Sequence, residues 1–272
     1  MMAACWSQAV AAVLLLGGTL VAPLLRAENA PGDREDYKSQ LDAPQAATGS
    51  RDPDAFRILC IGDSITRHGT SEDTQKRLGW DHIAGMAASR EENDYAHRLS
   101  RFVQDTMPDR KVELYFHTSG GSGTAKQRLS TISEAIPIAP HLIVIQLGEH
   151  EKEADGEASL RESYEALVTS FDQQTPRPLI IATGLWSLSK QEKDESGHLH
   201  YTGWAETIEN AMKTICEQHH IPFVSVSDLA RDPACRGWGE HPGVKWHPND
   251  QGHEGYARKI FEAYSQKATT AR

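Results

Sequence analysis

The sequence predicts a three-layer α/β sandwich built around a five-stranded parallel sheet. The sequence has five short apolar runs, and several of them are continuously apolar and rich in Ile and Val, as is typical of strands that are covered on both faces. Longer amphipathic segments separate these runs, and such an alternation of strands and helices is typical of a doubly wound parallel sheet. The sequence does not set the order of the strands, although a flavodoxin-like order is common for five.

The predicted elements begin at residue 56 and alternate to the C-terminus. The first strand, FRILCI, is followed at once by Gly, Asp and Ser. The insertion at residues 67–91 is unusually long for the connection of a strand to a helix, and we expect it to shape or cover a site. Strands are predicted at 56–61, 111–116, 141–147, 178–184 and 221–226, and helices near 92–107, 124–136, 157–172, 203–219 and 249–267.

The N-terminus has a different composition from the rest. Residues 1–27 are strongly apolar but are interrupted by two glycines and a proline, which favours a secretory signal peptide, cleaved after Ala27 or Ala30, over a membrane span. An uncleaved anchor is the alternative, because no Lys or Arg precedes the apolar run. Residues 28–55 are polar and predict a linker or disordered lead-in. Residues 56–272 then form the folded domain of a secreted or periplasmic protein.

Charge and cysteine content limit the classes of partner. The chain has 28 basic and 38 acidic residues and a formal net charge of −10. Such a chain has no long-range attraction for nucleic acid or an anionic bilayer, so neither nucleic-acid binding nor stable membrane insertion after signal cleavage is expected. Cys60 lies in an apolar strand and is expected to pack as a small hydrophobic residue. Whether Cys216 and Cys235 form a disulfide is left open.

Three predicted strands end in residues suited to chemistry, at the edge where parallel sheets bind ligands. Ser64 follows the first strand and is either a helix cap or a nucleophile. The segment SGGSGT at 119–124 follows the second strand, and its glycines let backbone amides approach a ligand; a flexible turn is the alternative. In LGEHE, residues 147–151 after the third strand, His150 can offer a ring N–H, whereas the two glutamates fit a solvated acidic turn.

The segment WHPNDQGHEGYA, residues 246–257, precedes the last predicted helix. Pro248 is suited to the start of a helix, and Asn249 or Asp250 can cap it. His247 is thereby placed on a rigid loop at the entrance of the helix, where a general base is expected. A surface histidine beside a capped helix is the alternative.

Taken together in this order, these segments resemble the sequence blocks of the SGNH (GDSL-type) hydrolases. The matching segments are GDSI at 62–65, the glycine loop, LGEH at 147–150 and HPND-x-GH at 247–253. The resemblance covers residues 56–268, and GMAAS at 85–89 is further similar to a branch of secreted bacterial members. It implies the SGNH hydrolase fold and ester hydrolysis through an acyl-enzyme, without a cofactor.

The resemblance also implies a role for individual residues. Ser64 matches the nucleophile and His247 the catalytic base. The backbone N–H groups of Ser64 and Gly123, with the side chain of His150, match the oxyanion hole, whose donors hold the negative charge of the tetrahedral intermediate. Candidates for substrate binding are Asp63, Glu149 and Trp246.

The sequence departs from the family pattern at two positions. His150 stands where the family usually has Asn, and a neutral imidazole donates a single hydrogen bond, so its tautomer matters. Val244 stands three residues before the base, where the family usually has Asp. A serine–histidine dyad is therefore expected, oriented by a backbone carbonyl near Val244 or by an acid from elsewhere, such as Glu240 or Asp250.

The combined prediction is a secreted serine esterase that hydrolyses small acyl esters, acetyl in the first place, on a small molecule or a glycan. A catalytically impaired binding module on the same fold, or a lipase or thioesterase, is the alternative. No metal is expected, because the histidine pairs His198/His200 and His219/His220 do not follow a dependable zinc pattern.

Overall fold

A computed structural model of the chain describes residues 52–118, 122–186, 191–193, 195–196 and 199–270. The predicted signal peptide lies outside the described residues, as do residues 28–51 of the predicted lead-in. Residues 119–121 of the glycine loop and His198 also lie outside them. Among the described residues, no helix is long and apolar enough to cross a membrane.

The centre of the fold is a parallel sheet that contains all five predicted strands. The strands of the chain are β1 Phe56–Gly62, β2 Val112–His117, β3 Leu142–Gln146, β4 Leu179–Thr183, β5 Gln191–Lys193, β6 Leu199–Tyr201 and β7 Phe223–Val224. The parallel sheet has the order β2-β1-β3-β4-β7, which is the flavodoxin-like order. The strands β5 and β6 form a small antiparallel hairpin that was not predicted.

Helices cover both faces of this sheet. The helices are α1 Glu72–Leu78, α2 Tyr95–Thr106, α3 Ala125–Ser130, α4 Gly156–Thr169, α5 Trp204–Gln218, α6 Ser227–Arg231, α7 Pro242–Trp246 and α8 Asp250–Thr270. Five of them lie close to their predicted positions, and the three short helices α1, α6 and α7 were not predicted.

The predicted helix at 124–136 is wrong in its second half. The helix α3 ends at Ser130 and is followed by two 3₁₀ turns, Ile132–Glu134 and Ile136–Ile138. Pro137 opens the second turn. A proline inside an α-helix removes a backbone donor and clashes with the preceding turn, so the segment tightens into short turns instead.

The alternating side chains of β1 divide the core into two layers. Leu59 and Ile61 pack with residues of α3, α4 and α5, and Ile58 and Cys60 pack on the other face with residues of α2 and α8. Cys60 is fully buried and packs as predicted. Cys216 lies in the first layer and Cys235 in the second, and both thiols are free, so these two cysteines form no disulfide with each other.

The long insertion packs against the segment that carries His247. The helix α1 begins at a capping box formed by Ser71 and Thr74, and the chain then buries Trp80 completely. Trp80 belongs to a small apolar cluster, which also includes Met86 and, from α7, Val244. The insertion therefore shapes the edge of the sheet at which β1 ends.

Candidate active site

Ser64 lies in a tight turn where β1 ends. Gly62 is required there, because a Cβ at this position would lie 1.9 Å from the hydroxyl oxygen of Thr66. The backbone N–H of Thr66 donates to the carbonyl of Asp63 over 3.0 Å and closes the turn. On the other side, the N–H of Met86 donates to the carbonyl of Ser64 over 2.8 Å. Ser64 is thus fixed by its backbone, and the residue is only 6% exposed.

The hydroxyl of Ser64 contacts the imidazole of His247. The distance from Ser64 Oγ to His247 Nε2 is 2.6 Å, although 183 positions separate the two residues. The other ring nitrogen, Nδ1, lies 2.5 Å from the carbonyl oxygen of Gly243. Because a carbonyl can only accept, Nδ1 carries the proton and the lone pair of Nε2 faces the serine hydroxyl. This is the tautomer that a general base needs.

The acceptor for Nδ1 is supplied by the backbone of α7. His247 directly follows this short helix, so its ring reaches back one turn to Gly243. The side chain of Val244 is buried in the apolar cluster with Trp80. Asp250 accepts hydrogen bonds from the backbone N–H and hydroxyl of Ser89. Of the open alternatives for the orienting group, the geometry matches the backbone carbonyl.

The surroundings keep the imidazole of His247 neutral. Its side chain is almost completely buried, and this loss of hydration lowers its pKa from 6.5 to about 3. The hydrogen bond to Gly243 opposes the shift, while positive charge on His68, His253 or His150 adds to it. His247 is therefore a proton acceptor over almost the whole range of pH in which proteins stay folded.

A second buried histidine supports the loop that holds Ser64, and sequence reasoning did not assign it. The ring Nδ1 of His253 accepts the N–H of Tyr95 over 3.2 Å, and Nε2 donates to the carbonyl of Met86 over 3.2 Å. Met86 in turn bonds to Ser64. The segment HPND-x-GH, residues 247–253, was a signal for this contact, because it ends in His253 and so places that histidine on the first turn of α8.

The end of the glycine loop is held by a buried arginine that the sequence analysis also missed. Arg128 on α3 is 1% exposed, and its Nε donates to the carbonyl of Gly62 over 2.8 Å. Its Nη2 donates to the carbonyls of Thr118 and Ser122. Gly123 has φ +147°, and a Cβ there would lie 2.6 Å from this guanidinium. The backbone of Gly123 is thus tied to the end of β1.

Asp63 and His150 follow two paired strands, β1 and β3, at the carboxyl edge of the sheet. Gly148, with φ +123°, turns the chain after β3 and leaves the side chain of His150 exposed. Asp63 is buried, and its Oδ1 accepts the N–H of Ile65 over 3.0 Å. Burial raises the pKa of Asp63, and positive charge on His150 is the largest effect that opposes this rise. His150 therefore lies within electrostatic reach of both Asp63 and His247.

Glu149 and Trp246 are joined through Trp186. The carboxylate of Glu149 accepts the backbone N–H of Trp186 over 2.5 Å, and the indole N–H of Trp186 donates to the carbonyl of Trp246 over 2.7 Å. The ring of Trp246 meets the ring of His247 nearly edge-on, with centroids 4.9 Å apart. Both residues thus support the segment that carries His247, and their contact with substrate stays a prediction.

The pair His219/His220 lies away from the carboxyl edge of the sheet. His219 bonds to Glu165 over 3.0 Å on the helical layer formed by α4 and α5. Within the part of the chain that the structure describes, no three side chains of His, Cys, Asp or Glu are gathered to hold a metal ion.

A buried serine bonded to a neutral histidine at the carboxyl edge of a parallel sheet is an arrangement typical of serine hydrolases. The sequence profile of the GDSL-like Lipase/Acylhydrolase family matches residues 60–254, which include Ser64 and His247. The chain belongs to this family, that is, to the SGNH hydrolases, and it is an enzyme that hydrolyses ester bonds. No curated protein matches the sequence significantly.

Solved structures of similar fold include several esterases. The psychrotrophic esterase EstA from Pseudoalteromonas sp., inhibited by monoethylphosphonate, superposes with a TM-score of 0.52 at 12% identity, over 78% of this chain and 98% of that chain. The acetyl xylan esterase AlAXEase gives a TM-score of 0.53 at 13% identity, over 76% and 99%. A two-domain esterase (CEX) active on acetylated mannans gives 0.51 at 18% identity, over 82% and 51%. At these identities the likeness establishes the fold.

Proposed function

We propose that the protein is a secreted serine esterase that removes small acyl groups, mainly acetyl groups. Ser64 is the nucleophile and His247 is the base. The observation that carries the proposal is the 2.6 Å contact between Ser64 Oγ and the unprotonated Nε2 of His247. A serine hydroxyl is a weak nucleophile until such a base accepts its proton.

The reaction follows from this contact in two halves. Ser64 Oγ attacks the ester carbonyl while His247 Nε2 accepts the hydroxyl proton, and a tetrahedral intermediate forms. His247 then returns the proton to the leaving alcohol, which leaves an acyl group on Ser64. Water, deprotonated by the same nitrogen, attacks the acyl carbonyl and forms a second tetrahedral intermediate. Its collapse breaks the bond to Ser64 Oγ, which takes the proton back from His247 Nε2, and the carboxylic acid leaves. The carbonyl of Gly243 keeps Nδ1 protonated throughout and holds the ring in place.

The oxyanion of each intermediate is proposed to lie against the N–H groups of Ser64 and Gly123 and the ring of His150. Three observations support this assignment. Ser64 lies in a turn whose backbone is fixed by hydrogen bonds, Gly123 has a backbone conformation that side chains rarely allow, and His150 follows β3, the strand that pairs with β1. Such donors act on charge that develops in the transition state.

Replacing His150 by alanine is expected to lower kcat by about 10²-fold, because one oxyanion donor is lost. His150→Asn, which restores a neutral N–H donor, is expected to recover most of this loss. Steady-state kinetics with p-nitrophenyl acetate measures both variants. If His150→Ala keeps the wild-type kcat, His150 is not part of the oxyanion hole.

Catalysis is expected to continue to unusually low pH. A base must be unprotonated to act, and the pKa of His247, lowered to about 3, leaves it unprotonated above about pH 4. The profile of kcat/KM for release of acetate should therefore be flat down to about pH 4 rather than fall near 6.5. Enzyme incubated at each pH and then assayed at pH 7 controls for unfolding. A reversible acidic limb near pH 6.5 would contradict the proposed environment of His247.

The preference for a small acyl group is supported by the scarcity of exposed apolar surface. Among the described residues, only Ile136 and Trp238 are large apolar side chains with substantial exposure, and the insertion folds onto its own buried cluster. A long acyl chain would need an extended apolar groove. Esterases active on acetylated glycans share the fold, which suggests the same class of substrate for this chain.

A series of p-nitrophenyl esters tests this function. Specificity constants should be highest for acetate and fall steadily through butyrate, octanoate and palmitate; a maximum at octanoate or beyond would indicate a lipase or thioesterase. A fluorophosphonate probe should label Ser64, as peptide mass spectrometry can show. No labelling between pH 4 and 9 would favour the catalytically impaired binding module.

Export is the remaining part of the proposal and rests on the apolar N-terminus. The full chain, expressed in a bacterial host, should appear in the periplasm or medium. Mass spectrometry should find its N-terminus directly after Ala27 or Ala30. An exported chain that still begins at Met1 would indicate an uncleaved anchor.

A further inference from the structure

Trp238 is the one tryptophan among the described residues that is substantially exposed, at 40%. It lies at the catalytic edge of the sheet: the N–H of the preceding residue, Gly237, donates to the carbonyl of His247 over 2.7 Å. The indole N–H of Trp238 donates to the carbonyl of Ala87 over 2.9 Å, and Ala87 follows Met86, which bonds to Ser64. Trp238 is thus attached to both the loop of the base and the loop of the nucleophile.

The indole ring of Trp238 is held in one orientation. It stacks on Trp80 with ring centroids 6.2 Å apart and an angle of 29° between the planes, and Trp80 is fully buried. Trp80 in turn contacts the ring of His82, whose Nε2 bonds to the carbonyl of Ala88 over 3.0 Å. One side of Trp238 is therefore supported by the protein while much of its surface stays open. A ligand that stacks on this surface would not have to immobilise it first.

We propose that the open face of Trp238 binds a pyranose ring of the substrate, next to the acylated sugar; this rests on the proposed esterase function. A sugar ring has a flat face of C–H groups that matches one indole, and its hydroxyls need polar neighbours at the edge. The exposed carboxylates of Asp81 and Glu240, each close in sequence to one of the stacked tryptophans, can accept hydrogen bonds from such hydroxyls.

The isolation of Trp238 favours a sugar over a fatty acyl chain. Ile136, the other large exposed apolar side chain of the described residues, precedes β3 and so lies at the amino edge of the sheet, away from Ser64. A single flat aromatic surface suits one ring, whereas an extended chain would bury several apolar side chains in a row.

The test compares two substrates in four proteins: wild type, Trp238→Ala, Trp238→Phe and Ile136→Ala. The substrates are p-nitrophenyl acetate and acetylated xylohexaose. In Trp238→Ala the ratio of specificity constants, oligosaccharide over p-nitrophenyl acetate, is expected to fall about three- to tenfold, mainly through KM. Trp238→Phe, which keeps a ring but loses the indole hydrogen bond, should retain most of the ratio. Ile136→Ala should leave both activities unchanged.

Each outcome separates this inference from the proposed function. An unchanged ratio in Trp238→Ala, or a wild type that cleaves p-nitrophenyl acetate but not the oligosaccharide, would overturn the sugar site and leave the esterase assignment intact. If the wild type cleaves neither substrate, the proposed function fails. Calorimetry then measures the affinity for xylohexaose of Ser64→Ala and of the double variant Ser64→Ala/Trp238→Ala. Equal affinities, or no binding to Ser64→Ala, would overturn the sugar site.

Discussion

Replacing Ser64 by alanine is expected to lower kcat/KM for p-nitrophenyl acetate by at least about 10³-fold, because no acyl-enzyme can form. The loss should appear in kcat, since the small side chain adds little to binding of the ground state. Ser225→Ala is a matched control: this serine follows β7 at the same edge of the sheet but bonds to Ser227 rather than to a histidine.

The double variant with His247→Ala tests whether the two residues act as one unit. His247→Ala alone is expected to cost nearly as much as Ser64→Ala. Because the transfer of the proton from the hydroxyl to the imidazole needs both residues, Ser64→Ala/His247→Ala should be little slower than either single variant. Substantial residual activity in Ser64→Ala that active-site titration does not trace to contaminating enzyme would contradict the nucleophile assignment, and additive losses would contradict a dyad.

The fold was largely readable from the sequence because the parallel strands are covered on both faces. Several of them appear as continuous apolar runs, and the helices between them are amphipathic. The wrong prediction concerns a single segment: the second half of the helix predicted at 124–136 forms 3₁₀ turns because Pro137 follows it directly. The three additional helices are also short, so they offer too few residues for a helical period to be seen.

The candidate site was also only partly predictable: the side chains of the proposed dyad lie in recognisable sequence segments, whereas the backbone contacts of the site leave no signal in the sequence. Ser64 and His247 lie in recognisable segments, and the structure brings them together. The acceptor for His247 is a carbonyl, which every residue has, so only the geometry of α7 could single out Gly243. Arg128 was missed because a basic residue in a helical pattern normally indicates an exposed face.

Replacing Arg128 by methionine is expected to destabilise the protein by about 3 kcal/mol and to lower kcat by about 10²-fold. Methionine fills a similar volume, but the carbonyls of Gly62, Thr118 and Ser122 lose their charged donor. Without these hydrogen bonds, Gly123 is no longer fixed relative to Ser64, and the oxyanion donor that we propose at Gly123 is misplaced. Urea unfolding measures the stability, and kinetics well below the transition measures kcat.

Two further variants separate positioning from general loss of stability. Leu167→Ala removes a fully buried side chain from α4 and should cost about 2–5 kcal/mol, yet keep wild-type kcat while folded. Arg128→Lys keeps the positive charge, but an ammonium group cannot span the carbonyls that the guanidinium joins, so its kcat should lie between wild type and Arg128→Met. If Arg128→Met and Leu167→Ala both keep full kcat, Arg128 serves stability alone. Equal losses of kcat in Arg128→Met and Leu167→Ala would instead mean that the site depends on the overall stability of the core.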